Sequence, residues 1–397
     1  MGVECIAYAW RRPPGDLAIL SPGMTFFTEV PHGMTTPMIT LAVFEGPGNL
    51  QLRQVPAPTL QPGEVLVEVL GCTLCGSDLH SYTGRREVAV PTVLGHEIAG
   101  RVAVIGPPGE HGAPRAVDGT PLTVGERVAW AVVASCGRCD RCQGGLPQKC
   151  RHGVKYGHAR LDDGREPLGG LGSHCLLLAG TSIVRLPESL PLEVACPAGC
   201  ATATVAAALE PAGDLSGLRV GVFGLGMLGL TACAMAREAG AEGVLGIDPD
   251  AGRGERAKAF GATAVAMPDA LPDMVGDPAA DGLDLVLEMS GAPSAVTAAI
   301  ATAGVGGSVH LVGSVFPSGS VPLDPEQVVR RQLSIRGTHN YAPKHLQQAV
   351  TFLERCHQRY PFASLVEGWL PLAEVEAAFD QALASGAVRI GVRPASD

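Results

Sequence analysis

Large rings are scarce in this chain: 9 Phe, 3 Trp and 5 Tyr make up only 4% of 397 residues. Its core must therefore be filled mainly by aliphatic and small side chains, which the 46% hydrophobic fraction supplies. Charge is also sparse, at 17%, and acidic residues outnumber basic ones for a formal net charge of −10. That balance excludes nucleic acid or an anionic membrane as the main partner, although it leaves room for a local basic pocket. No run of about 18 apolar residues exists, so no membrane span is expected. Arg11 and Arg12 are followed by no apolar targeting segment or small-residue cleavage site. The expectation is a cytoplasmic chain without a leader.

Glycine (52), proline (32) and cysteine (12) are plentiful. Four cysteines stand close together as C-x2-C-x2-C-x7-C: Cys136, Cys139, Cys142 and Cys150. Four thiolates from one short loop can surround an ion tetrahedrally, and the filled shell leaves no position for substrate. In a chain without secretory features such clustering points to reduced, metal-bound thiols rather than disulfides. Residues 136–150 therefore read as a structural zinc lobe.

The length exceeds one ordinary core and predicts two domains. Residues 1–37 are turn-rich and read as an N-terminal extension, with Met34 and Met38 as alternative starts. From 38 to 195, short alternating or β-branched runs such as ITLAVFE, LQLRQVP and GEVLVEVLGC predict a β-rich, partly barrel-like domain. From 196 to 338, buried strands alternate with helices, which implies a parallel sheet covered on both faces. The Ala-rich stretch PLEVACPAGCATATVAAALEPAG leading into it reads as helical. Residues 339–397 are expected to rejoin the first domain through the strand VRIGVRP.

Gly224, Gly226 and Gly229, with Met227 and Leu228 between the last two, form GLGMLG after the strand RVGVF and at the start of a helix. In that setting the glycines permit a tight turn, close approach of backbone to a pyrophosphate, and close helix–strand packing. Asp248 ends the following strand, where a carboxylate accepts ribose hydroxyls and repels a 2′-phosphate. This favours NAD over NADP, although Arg253 and Arg256 lie near.

Three separated pieces carry further metal chemistry: CGSDLH at Cys75–His80, GHE at Gly95–Glu97, and Cys200. Cys75, His96 and Cys200 together offer two thiolates and one imidazole. That set balances a divalent charge and leaves one position open, as a catalytic zinc requires.

The order of CGSDLH, GHE, the four-cysteine lobe, the Ala-rich segment and GLGMLG resembles the zinc-dependent medium-chain dehydrogenase/reductase family, the alcohol, polyol and threonine dehydrogenases. The resemblance spans about residues 38–397. It implies an α/β architecture: a GroES-like, β-rich catalytic domain beside a Rossmann domain with a doubly wound parallel sheet. By position it implies Cys75, His96 and Cys200 as catalytic zinc ligands, with Glu97 as an alternate ligand and Asp78 orienting the ligand histidine. It implies Ser77 as the hydroxyl that takes the substrate proton and His80 as the outer end of the relay. Thr204 and Arg389 are implied beside the cofactor. The implied cofactors are two zinc ions and NAD. The implied reaction is hydride transfer between a small-molecule alcohol and NAD in a homodimer or homotetramer. An NADP-preferring zinc aldehyde reductase and a non-catalytic, zinc-stabilised nucleotide-binding redox sensor are the alternatives.

Cys72, Cys196 and Cys233 read as small core residues, Cys196 being the rival of Cys200. His111, His152 and His158 read as solvated loop residues. His339 and Tyr341 either line the cleft or cap a strand. The segments SPGMTFFTEVPHG, CTLCGSDLHSYTGRRE and CATATVAAAL resemble a subgroup linked to phosphonate breakdown. Its hydroxy- or oxo-phosphonate substrate would need cations such as Arg85 and Arg86, which otherwise read as surface residues. The segment VRRQLSIRG reads as a sheet edge able to pair with its twin.

Overall fold

The structure is a computed structural model that describes residues 37–110, 112–161 and 167–394. The expected extension, apart from Pro37, and His111 lie outside the described residues.

The first half is built around the strand Val65–Thr73, whose Val65, Val67 and Val69 are buried while Glu68 faces out. This period of two suits a sheet with one packed face. It pairs antiparallel with Glu97–Ile105, in a register that sets Thr73 opposite Glu97. Its other edge receives Arg389–Arg393, with Gly391 opposite Thr73. The last strand of the chain is thereby stitched beside residues more than 300 positions earlier. A smaller sheet of Asn49–Pro56, Met38–Gly46 and Thr92–Val93 packs nearby. Leu41, Phe44, Tyr156, Leu171 and Phe379 form part of the buried cluster of this half.

The second half holds a six-stranded parallel sheet. In space its strands run Ala264–Ala266, Gly243–Ile247, Arg219–Phe223, Leu283–Glu288, Ala303–Leu311 and Ser334–Gly337. Numbered along the chain, this is the order 3-2-1-4-5-6 of a dinucleotide-binding sheet, whose ligand crevice lies where the order reverses. The reversal falls beside Arg219–Phe223, and the glycine turn leaves its carboxyl end. Gly224 has φ +86°, a left-handed conformation that glycine adopts without strain. Gly226 caps the helix Met227–Glu238. A Cβ at Gly229 would stand 1.9 Å from the Gly224 carbonyl oxygen, so that helix can sit this close only with glycine there.

The Ala-rich segment is not one helix. It forms Leu192–Ala195, a 3-10 turn Cys196–Gly199 and the helix Ala201–Leu209. Pro197 and Gly199 account for the interruption: proline cannot continue the helical hydrogen-bond ladder, and a Cβ at Gly199 would meet the Trp130 carbonyl oxygen at 2.9 Å. Cys200 sits at the break with φ −130° and ψ −77°, outside helical geometry. The helix Pro343–Cys356 buries Leu346, Ala349, Val350 and Leu353 in the same cluster as Ala203 and Val205. The return to the first sheet is made later, by Val366–Pro371 and Arg389–Arg393.

The glycine turn yields a paired prediction. Gly229→Ala forces backbone apart and should cost about 1–3 kcal/mol in urea unfolding, as overpacking does. Gly226 has φ −80° and open space where a Cβ would go. Gly226→Ala should therefore stay within about 0.5 kcal/mol of the parent.

Candidate active site

Asp78, only 1% exposed, organises the site. One carboxylate oxygen accepts the Cys75 backbone N–H at 2.9 Å. The other accepts the Gly95 N–H at 3.2 Å and stands 3.3 Å from His96 Nδ1. One buried anion thus holds the start of the helix Gly76–Tyr82, the turn before His96, and the imidazole itself. Burial opposes the imidazolium, but the charge and hydrogen bonding of Asp78 and of Cys75 together lift His96 to about 10. His96 Nε2 then points to the Ser77 side, 3.3 Å from Ser77 Oγ.

The donor atoms of Cys75, His96 and Cys200 lie within 4.8 Å of one another. A hydrogen bond from Cys200 holds the Cys75 thiol well below the usual range, against burial and with help from the charge of Arg389. The same bond, with burial, raises Cys200. A half-buried pair of sulfurs competing for a proton beside an imidazole suits a divalent ion, which would replace the proton and balance the thiolates. Cys196 does not join them. It is fully buried, its Sγ donates to the Gly71 carbonyl at 3.2 Å, and burial pushes its thiol up. Cys72 and Cys233 are likewise buried in the core.

In the lobe, the sulfurs of Cys139 and Cys142 are 3.5 Å apart, those of Cys139 and Cys150 3.9 Å, and those of Cys136 and Cys150 3.4 Å. Four sulfurs about 2.3 Å from a common centre at tetrahedral angles stand roughly 3.8 Å apart. These separations fit that shell and are far beyond the ~2 Å of a disulfide. Backbone N–H groups of Cys136 and His152 add two donors to the Cys150 sulfur, each at 3.3 Å.

The three-donor set opens on a cleft of about 310 Å³. Ser77 and His80 line it from the helix that Cys75 caps, and Thr204 lines it from the helix after Cys200. Gly226, Met227, Leu228 and Gly229 form its far wall. Gly226 is the position where backbone is bare, as a dinucleotide's pyrophosphate requires. Gly224 and Asp248 do not line the cleft. Asp248, 5% exposed, accepts the backbone N–H groups of Leu225 at 2.8 Å and Asp250 at 2.9 Å, and Arg253 approaches it to 4.0 Å.

Glu97, fully buried, is outside the donor set. Arg389 grips both its oxygens, through Nε at 2.7 Å and Nη2 at 2.8 Å, and Thr73 adds a hydrogen bond at 2.7 Å. Arg389 Nη2 also lies 3.7 Å from the Cys75 sulfur, and the residue borders the cleft.

Two neighbours carried no signal in the sequence: Lys155 and Phe316 line the cleft. His339, open between cleft and strand cap from the sequence, lines it as well. Arg86 lines it too, whereas Arg85 is exposed. Tyr341 is buried and donates its hydroxyl to the Gly199 carbonyl. His158 corrects the expectation of a solvated loop residue: its ring centroid is 5.1 Å from that of His96. Burial, then the charge on His96, push it down to about 2, so the ring is neutral. No composition or spacing signal marks it, because a long-range fold brings Gly157 against Gly95.

Residues 61–188 match the alcohol dehydrogenase GroES-like domain, and residues 228–355 match the zinc-binding dehydrogenase family. A probable alcohol dehydrogenase of Mycobacterium tuberculosis is 34% identical over 349 residues, 83% of this chain and 90% of its own length. The chain belongs to the zinc-dependent medium-chain alcohol dehydrogenase family. L-threonine 3-dehydrogenase of Pyrococcus horikoshii is 31% identical over 315 residues, covering 77% of this chain and 83% of its own. The crystal structure of an alcohol dehydrogenase from Thermotoga maritima superposes with a TM-score of 0.83 at 26% identity, over 90% of this chain and 100% of its own. The NADP-bound zinc-binding dehydrogenase of Sinorhizobium meliloti does so with a TM-score of 0.77 at 26% identity, over the same shares. The family's two-part architecture, a GroES-like domain with a Rossmann-like parallel sheet, is the fold observed.

The Glu97–Arg389 pair carries its own test. Arg389→Leu leaves a buried carboxylate alone and should cost about 3–5 kcal/mol in urea unfolding. Adding Glu97→Gln should recover a large part of that loss.

Proposed function

We propose that this family member is an NAD-dependent alcohol dehydrogenase holding two zinc ions. One sits in the Cys136–Cys139–Cys142–Cys150 lobe, and the other on Cys75, His96 and Cys200. The observation that carries the reading is the open three-donor set facing the same cleft as the bare backbone of Gly226. Bound there, zinc supplies Lewis-acid polarisation of a substrate oxygen, and NAD supplies the hydride acceptor.

The chain's own groups manage the proton and the charge. Ser77 Oγ, beside His96, takes the substrate hydroxyl proton. His80 lies three residues on, on the same helix face, and is where the proton leaves towards water. Asp78 holds the His96 ring through Nδ1 so that Nε2 stays aimed inward, the usual partner of a metal-bound histidine. Glu97 holds the Arg389 guanidinium at the edge of the cleft, where it faces the phosphates of the dinucleotide. Met227 and Leu228 keep water from the glycine wall.

Asp248 at the end of the second strand supports NAD, since a buried carboxylate there repels a 2′-phosphate. Arg253, 4.0 Å from it, and the NADP-bound relative favour the second reading, an NADP-preferring enzyme. Polyols and hydroxyphosphonates are candidate substrates suggested by the sequence resemblances. The strand Ser334–Gly337 ends the parallel sheet with all four residues exposed, and pairing of two such edges would make a homodimer. The reduced thiols suit the cytoplasm. No single helix among the described residues is long and apolar enough to cross a bilayer.

Metal analysis should return two zinc ions per chain, and His96→Ala should lose one of them together with turnover. Ser77→Ala should retain the metal and lower kcat by about 10²–10⁴-fold, the range of general acid–base groups, as read by nicotinamide absorbance. Full turnover by a metal-stripped protein would sink the proposal.

A further inference from the structure

Among the described residues, Phe44, Phe223, Phe260, Phe352, Phe362 and Phe379 are all buried in the core. Phe316 is the one described phenylalanine that is not. In a chain with so few large rings, one kept out of the core points to another use. Its loop lies between the strand Ala303–Leu311 and the helix Pro325–Arg330. Ser314, Val315, Pro317 and Ser318 around it are exposed, while Phe316 is half-buried.

The ring is covered by residues of the other half of the protein. Its centroid is 4.5 Å from that of His80, with 64° between the planes, the edge-to-face contact that aromatic quadrupoles favour. The guanidinium carbon of Arg86 stands 5.9 Å from the same centroid, within cation–π range. Arg86 is itself fixed, its Nη1 lying 2.6 Å from His158 Nε2. Phe316, His80 and Arg86 all border the cleft. The cofactor half thus sends one ring across the cleft onto the helix Gly76–Tyr82 and the segment that follows it. A substrate wall needs only apolar surface, which Val132, Leu228, Met289 and Val312 already supply. Contact with an imidazole and a guanidinium together is a more particular arrangement.

That contact sets the surroundings of His80. Burial, first, lowers its pKa from the usual histidine value; Arg85 lowers it too, the charge of Cys75 opposes, and Arg86 adds to the lowering. Residues 312–323 carry no charged side chain, so their loop brings shielding and no charge of its own. A phenyl ring takes the place of water on one side of the imidazole and keeps the Arg86 charge near, and both disfavour the imidazolium. The neutral ring is the form that can accept a proton.

We propose that Phe316 is a positioning residue of the proton path: reaching over from the cofactor half, it seats the His80 ring where that ring receives the proton leaving by way of Ser77, and shields it from water. The proposal rests on the dehydrogenase reading above, which gives His80 the outer end of the path, and adds a residue that reading does not use. The step balances: one proton leaves the substrate hydroxyl, His80 takes it at a ring nitrogen, and water receives it, with no other reactant.

Histidine carbon-13 NMR of the zinc-loaded protein, with His80→Gln to assign the signal, reads the ring directly. In the parent His80 should titrate below about 6.5, the ordinary value. Phe316→Ala should move it up towards that value, and Phe316→Tyr, which keeps a ring, should restore the parent titration. Oxidation needs the neutral imidazole, so kcat rises as pH rises through the His80 value, and a raised value moves that limb to higher pH. With 1-propanol and NAD, Phe316→Ala should shift the limb upward in step with the NMR titration. It should also lower kcat about tenfold, part of the 10²–10⁴-fold that an acid–base group supplies, with KM for 1-propanol within about twofold of the parent. Melting curves confirm that each variant is folded. An unchanged His80 titration and pH limb in Phe316→Ala, with changes only in KM for a bulkier alcohol such as benzyl alcohol, overturns the proposal and leaves Phe316 a pocket wall. A His80 titration that moves in Phe316→Ala, in a protein whose turnover ignores it or that oxidises neither alcohol, supports the seat and overturns the relay reading instead.

Discussion

A single buried carboxylate holds this active site together. Asp78 touches a backbone N–H at the start of one helix, another in the turn before His96, and the outer nitrogen of the His96 ring. Those contacts place Cys75 and His96, 21 positions apart, in one donor set. A buried anion is tolerable only where such partners surround it. Its cost is offset by two backbone donors and an imidazole, and removing any one of them would loosen the other two.

Behind the donor set a second buried pair performs a different task. Glu97 follows His96 directly, yet faces the opposite side of the strand, where the register with Val65–Thr73 brings Thr73 to it. The final strand delivers Arg389 to the same spot. The pair ties the end of the chain to the catalytic sheet and sets a fixed positive group 3.7 Å from the Cys75 sulfur. Thiolate character at Cys75 is thus supported from the protein side as well as by the hydrogen bond from Cys200. Arg86 also lines the cleft, where its guanidinium bonds the His158 ring that packs on His96.

The broken helix shows how local chemistry serves this arrangement. Continued through Cys200, the Ala-rich segment would carry that thiol along a regular helical face. Pro197 removes a donor, Gly199 allows the chain to press on the Trp130 carbonyl, and the helix restarts at Ala201 after a change of direction. Cys200 occupies the elbow, where it meets Cys75. The glycine turn plays the equivalent part in the parallel sheet: Gly224 supplies the left-handed bend, and Gly229 lets helix and strand touch.

Much of this was legible from residue order. The four-cysteine lobe is local, so its spacing alone determined that the sulfurs could share one ion. The GLGMLG turn is equally local: a strand, three glycines and a helix leave few other conformations. The alternation of buried strands and helices determined the parallel sheet. The sequence could not show what packs around the donors. Glycine-rich surroundings make His158 read as a solvated loop residue, and only the packing of Gly157 on the Gly95 backbone sets it beside His96. Arg86 looked no different from Arg85, since two neighbouring arginines differ only in the direction a turn gives them. The partnership of Glu97 with Arg389 and the position of Lys155 were decided the same way, by strand pairing between distant segments. Sequence spacing determines chemistry within one turn or loop. Contacts between segments depend on register and packing, and those exist only once the chain has folded.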